Sequence, residues 1–447
     1  MIMSDEQKIS IEDVLALARK SGADGADAIL AKGTGTAMQI RLGELESVEQ
    51  ADDFQLGLRV FIGQKIASVS TSILDNQSVE LLVERAVAMA KVAPEDPYAR
   101  LALESEQATN LPEIDCFDPA ELPTSRLQEI AEICEAAARA NPLISNSEGS
   151  SASQSTSEVT MANSNGFLGS YKSSSFSFSA VVLAEKDGAM ERDYDYSAAV
   201  FAEDLENPED IGKSAADRTI ARLGPRKAKT GAFPVVFDRR VSRSLAGHIA
   251  GAINGYSIAR GTSFLKDCLG EVVTSASISV IDDPLRPRSF GSRAFDSETL
   301  PVSKRAMIDK GVLTGWFLDL SSAAQLEMTP TGNASRSLSS PPSPSPSNLM
   351  VENGDMTVDA LISDIKDGFY VTELMGSSVS LLTGDYSRGA GGFWIENGVI
   401  TYPVSEATIA GNLKDMFMHM TPANDIDLRQ SSAAPSIRIE TLTVAGG

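Results

Sequence analysis

The sequence predicts an α+β chain with an N-terminal helix-and-antiparallel-sheet domain over residues 1–223 and a mainly β C-terminal domain over residues 231–447 that carries one buried helix. Three observations carry this. The 447 residues exceed what one hydrophobic core usually serves. The first half alternates helical-period runs with period-two runs. The second half holds one helical run among many short apolar stretches separated by glycine.

Residues 10–20 open the chain, with Ile11, Val14, Leu15 and Ala18 at helical spacing behind Ser10 as N-cap and Asp13 three residues on. After the turn SGADGADA, the runs AILAKGTGTAMQIRLGELESVEQ and DFQLGLRVFIGQKIASVSTS alternate as antiparallel strands do. Residues 76–92 return to helical period, capped by Asn76 or Ser78 and stopped ahead of Pro94. An acidic, proline-containing connector over residues 93–124 precedes a third helix, 125–140, ending at Asn141-Pro142. Residues 143–202 are dense in serine, yet interleaved Phe176, Phe178, Val181 and Leu183 favour solvated strands over disorder. A fourth helix, 208–223, closes this half, and the boundary falls in the Gly, Pro and Lys-rich stretch 223–230. The second half begins with the strand FPVVF and a helix over 239–254. Short strands follow, in GVLTGWFLDL, GGFWIENGVITYPV and PSIRIETLTV.

Composition excludes several function classes. Hydrophobic residues at 42% and charged residues at 22% are those of a folded globular chain. A net charge of -23 opposes phosphate backbones and anionic lipid, so neither nucleic acid nor membrane is an expected partner. The one basic cluster, RLGPRKAK at 222–229, reads as a solvated linker. Cys116, Cys134 and Cys268 are too few and scattered for a disulfide framework. The N-terminus has acidic residues ahead of an amphipathic stretch instead of a signal peptide's apolar core, and no run of about 18 apolar residues occurs. The expected location is cytoplasmic.

Chemistry-bearing residues are scarce. His248 and His419 are the only histidines, too few for an ordinary hydrolytic zinc site. There is no G-x-S-x-G elbow, no S-x-x-K and no phosphate-binding glycine loop. His248 lies in VSRSLAGHIAGAING, a helix with Leu245, Ile249 and Ala252 on the same side and Gly247, Gly251 and Gly255 permitting close packing; alone it reads as a hydrogen-bonded core histidine. Two segments depart from ordinary loops. NASRSLSSPPSPSPSN at 333–348 favours extended backbone and reads as a surface linker. TGDYSRGAGGFW at 383–394 sets Asp385 and Arg388 three apart among Gly384, Gly389, Gly391 and Gly392. It suits either a tight turn or a surface offering amides and a charge pair to an extended peptide, with Gly384, Asp385, Tyr386, Arg388 and Gly389 as the contacts.

With LAGHIAGAINGYSIARGTSFLKDCLG, RSLSSPPSPSPSNL, TGDYSRGAGGFWIENGVITYPVSEATIAGNLKDM and the closing SIRIETLTVAG, the chain resembles the TldD/PmbA family, and within it the PmbA branch, also called TldE, over nearly its whole length. The resemblance implies a cytoplasmic two-domain protein pairing with a TldD-like zinc-bearing subunit into a protease for extended or unfolded peptides, in peptide maturation and antitoxin turnover. In such a pair the TldD chain holds zinc through an HExxxH helix and a later cysteine. Matched to that helix, the first ligand position falls at Gly247, the glutamate at His248 and the second ligand at Ala252, and no cysteine follows Cys268. Zinc hydrolysis needs imidazole or thiolate donors and a carboxylate base.

The leading expectation is therefore a non-catalytic subunit that completes the substrate chamber, with no cofactor of its own and zinc only in the partner; the chain alone is predicted inactive. The alternatives are a stand-alone hydrolase using His248 as base, and a homodimeric peptide-binding protein without protease activity.

Overall fold

The computed structural model describes residues 10–446. The acidic residues expected ahead of the first helix, Asp5 and Glu6, lie outside them, as does Gly447. The α+β class is borne out, and the first half is a single six-stranded antiparallel sheet. Its strands are β1 (Gly25–Arg41), β2 (Glu44–Ile62), β3 (Lys65–Thr71), β4 (Ile144–Asn163), β5 (Leu168–Lys186) and β6 (Ala189–Ala199), in the order β3-β2-β1-β4-β5-β6.

Period-two alternation gives this sheet two different faces. Even-numbered residues of β1, Ala26 and Ala28 at one end and Met38 and Ile40 at the other, bury against helices. Helices α1 (Ile11–Lys20) and α2 (Asn76–Val92) cover the first end; α3 (Thr124–Arg139) and α4 (Pro208–Ala221) cover the second. Odd-numbered Asp27 and Ile29 face the second half of the chain. Ser10 and Asp13 form the expected capping box of α1. The cap of α2 is Asp75, whose carboxylate accepts from the Ser78 amide, and not Asn76 or Ser78. The serine-dense stretch is strand, with Ser151 opposite Ser179 and Ser153 opposite Ser177, hydroxyls 3.0 and 2.9 Å apart. The buried face of β5 is Phe176, Phe178, Ala180 and Val182, so Val181 and Leu183 belong to the other face.

The second half is built on β7 (Gly231–Phe237), β14 (Asp367–Val379), β15 (Asp385–Glu396), β16 (Val399–Asn412) and β19 (Ile437–Gly446). They run β16-β15-β14-β7-β19, and β19 pairs back to β16, closing a barrel; β17 (Met420–Pro422) adds to β19. A smaller sheet joins β8 (Val280–Asp282), β9 (Arg305–Asp309), β10 (Val312–Leu313), β13 (Leu349–Val351) and β18 (Ser432–Ala433). Helix α5 (Arg239–Ala252) shares one core with the barrel and this sheet, burying Leu245, Ala246 and Ile249 with Phe237, Phe369, Trp394 and Val351. The remaining helices are short: α6 (Gly255–Ala259), α7 (Leu320–Gln325), α8 (Val358–Ile362) and α9 (Leu413–Met418).

Three connector readings need correction. The serine and proline segment is not a surface linker. It pairs with itself as β11 (Ala334–Ser335) and β12 (Ser343–Pro344), buries Asn333, Ala334, Ser347 and Asn348, and passes close enough to the first sheet that a Cβ at Gly57 would lie 2.5 Å from the Leu338 carbonyl. Proline has no N–H, so such a strap crosses buried surface with fewer orphaned donors. The basic connector is not simply solvated either: Arg222 pairs with Glu191, Asp193 and Glu373, and Arg226 stacks on Tyr402. The stretch TGDYSRGAGGFW is mostly β15, a strand of the barrel wall, and not a tight turn.

All three cysteines are free. No described helix is long and apolar enough to cross a membrane.

Candidate functional site at helix α5

Helix α5 starts where β7 leaves the barrel, and Asp238 fixes the junction. Its carboxylate accepts from the Arg240 amide at 2.8 Å and from the Tyr370 hydroxyl at 2.7 Å. Beyond this N-cap the helix buries Ser242, Leu245, Ala246, Ile249 and Ala252, leaving Arg240, Val241, Arg243 and Ser244 on a flank that faces a cavity.

His248 lies one turn past Ser244. Its ring meets Tyr386 edge-on, with centroids 5.8 Å apart and planes at 80°. The buried Nε2 has no hydrogen-bond partner, so the expected hydrogen-bonded core histidine is not what the structure holds at that nitrogen. Burial, and secondarily the Arg388 guanidinium, push the imidazole down to about 4, because both disfavour the cation. His248 is thus neutral at physiological pH. The Tyr386 hydroxyl is also buried without a partner, and burial drives its pKa up. The other two positions of the helix motif have unlike surroundings: a Cβ at Gly247 would meet nothing within 4 Å, whereas Ala252 is fully buried.

The proposed peptide contacts divide. Tyr386 and Arg388, two apart on β15, come to His248. Gly384 turns the chain into β15 at φ +89, and Asp385 accepts from the Thr383 hydroxyl at 2.7 Å and the Asn412 amide at 3.3 Å. Asp385 and Arg388 do not form the expected charge pair; residues three apart on a strand point to opposite faces, and Arg388 Nε donates instead to the Gly376 carbonyl at 2.7 Å. Gly389 sits in the ladder opposite Met375 and Thr408, within the barrel wall.

The cavity beside α5 has a volume of about 500 Å³ and lies between the two halves of the chain. Asp193 of β6, Arg222 after α4 and Glu373 of β14 line it together with Arg240, Arg243 and Arg388. None of Asp193, Arg222, Arg240, Arg243 or Glu373 stands out as a site residue in sequence. One signal was available: Arg239, Arg240 and Arg243 crowd the first turns of α5, where the helix dipole disfavours cations.

Comparison with known proteins agrees along the chain. Models described as PmbA/TldA metallopeptidase domain 1, central domain and C-terminal domain match residues 26–90, 117–223 and 230–446. The chain is 38% identical to the metalloprotease PmbA of Escherichia coli O157:H7 over 99% of its own length and 97% of that protein. It is 34% identical to a PmbA homologue of Haemophilus influenzae, covering 100% and 98%. A crystal structure from Bacteroides thetaiotaomicron, described as a candidate modulator of DNA gyrase, superposes with TM-score 0.91 at 28% identity over all of both chains. TldE from Thermococcus kodakarensis shares the fold, with TM-score 0.86 at 19% identity over 97% of this chain and 99% of that one.

The metal implied by a metallopeptidase description does not fit the residues of α5. His248 is its sole imidazole, Gly247 and Ala252 carry no donor, and the nearby Arg388 guanidinium opposes a second cation. Among the described residues no group of three or more His, Cys, Asp or Glu side chains comes together in a way that could hold one. On the match of all three domain models and of relatives along its full length, the chain belongs to the PmbA/TldD metallopeptidase family, in its PmbA branch.

Proposed function

We propose that this chain is the non-catalytic, TldE-type subunit of a heteromeric zinc peptidase, completing the chamber in which a TldD-like partner cleaves extended or unfolded peptides. The observation that carries this reading is the state of α5: Gly247 open to space, His248 neutral with Nε2 unpartnered beside Arg388, and Ala252 buried. Such a helix keeps its packing role while offering neither a donor set nor a carboxylate base. Zinc then belongs to the partner, and the shared location is the cytoplasm.

Reconstitution tests the reading. The purified chain alone is expected to cleave no unfolded peptide, with cleavage appearing when an HExxxH-bearing partner is added. Metal-dependent cleavage by the lone chain would overturn it. The hydrolase alternative requires His248→Ala to abolish activity of the lone chain, and size analysis with and without the partner separates a heteromer from a homodimer.

A further inference from the structure

The cavity beside α5 is lined by five arginines, Arg192, Arg222, Arg240, Arg243 and Arg388, against two carboxylates, Asp193 and Glu373. In a chain of net charge -23 this is a local reversal of sign. Three of the five are neutralised. Arg192 pairs with Glu148 at 2.8 Å, Arg240 with Asp193 at 2.7 Å, and Arg222 reaches Glu191, Asp193 and Glu373. Arg243 and Arg388 have no carboxylate within ion-pair distance among the described residues. Arg243 donates to the Gln430 side-chain carbonyl, and Arg388 to the Gly376 carbonyl at 2.7 Å. Arg243 also stands near the positive end of α5, where the helix gains nothing from a cation.

We propose that Arg243 and Arg388 form a binding site for a carboxylate of an extended peptide that enters this cavity. The proposal rests on the peptide reading above and specifies which peptides are favoured. A guanidinium matches a carboxylate through paired N–H donors, and the Arg240–Asp193 contact on the same wall shows that arrangement with two donors on one carboxylate. The volume of about 500 Å³ suits a short stretch of chain and not a duplex. Thr372 also lines the cavity and is skipped where Val371 pairs with Gly392 and Glu373 with Gly391, a bulge that leaves it outside the β14–β15 register.

The test is fluorescence anisotropy on the full chain with a labelled, unstructured peptide carrying one internal Glu and a free C-terminus. Its C-terminally amidated form and its Glu→Gln form distinguish a terminal from a side-chain carboxylate. One of these changes is expected to weaken binding about tenfold, as is the double variant R243Q/R388Q on the parent peptide, while R243K/R388K keeps part of the affinity. Melting curves check that the variants fold. If R388Q unfolds, R243Q alone carries the comparison, because its guanidinium lies on the helix flank facing the cavity. Equal affinity of chain and double variant, or equal affinity for all three peptides, overturns the carboxylate site. Cleavage by the chain mixed with a zinc-bearing partner is read separately. Cleavage without arginine-dependent binding sinks only this site, and arginine-dependent binding without cleavage sinks only the subunit reading.

Discussion

Arg336, from the serine and proline strap, places its guanidinium 2.7 Å from the Asp27 carboxylate of β1, with the two side chains 2% and 3% exposed. Asp27 also accepts from Arg59 Nε at 2.9 Å, and Arg59 lies 3.5 Å from Glu298. This buried chain of charges joins the first sheet to the second half. The two arginines hold the Asp27 carboxyl below its usual range despite the opposing cost of burial.

Removing one member of a buried charge group leaves the others unpaired, so the effects are unequal. Asp27→Asn takes from Arg336 its carboxylate partner and leaves Arg59 with Glu298 alone, and is expected to destabilise the chain by about 3–5 kcal/mol. Arg336→Met leaves Asp27 with Arg59 and is expected to cost less. Urea unfolding of both variants checks the order; a larger loss for Arg336→Met contradicts the arrangement.

Glu298 gives this junction a pH dependence. Burial lifts its carboxyl from 4.5 to about 8, against the pull of Arg59. Between these values the folded chain keeps a proton that the unfolded chain has released, so this contribution is complete below about pH 4.5 and is lost as pH rises through about 8. The urea midpoint is expected to fall across that window, and Glu298→Gln to flatten the slope. An unchanged slope in the variant assigns the dependence elsewhere.

Two glycines from the segments that identify the family respond oppositely to a methyl group. Gly247, inside α5, has open space at its Cβ, so Gly247→Ala is expected to raise stability by about 0.5–1 kcal/mol through lost unfolded-state freedom. Gly392, in β15, would bring a Cβ within 2.0 Å of the Tyr370 carbonyl. Gly392→Ala must move two strands of the barrel and is expected to cost about 3 kcal/mol or more. Thermal unfolding of the pair measures both signs.

By itself the sequence determined what is carried by near neighbours and by counting. The capping box of Ser10 and Asp13, the periods of α1 to α5 and the alternation of β1, β2 and β5 are local patterns, set within a few residues. The shortage of histidine and cysteine needed no structure at all. Tertiary structure decided the rest, because its partners lie far apart in the chain. Arg240 meets Asp193 across 47 positions and Arg222 meets Glu373 across 151. Proline and serine composition describes exposed linkers and buried straps alike, and only the opposing surface of β1 and β2 placed the segment of Arg336 inside. In TGDYSRGAGGFW the glycines suited a tight turn or a binding surface, whereas the closed barrel needs Gly392 where β14 and β15 approach too closely for a side chain. His248 shows the division most plainly: its presence on a helix was legible, but its neutral state comes from burial, with Tyr386 edge-on to the ring, and from the positive charge of Arg388, 138 and 140 residues later.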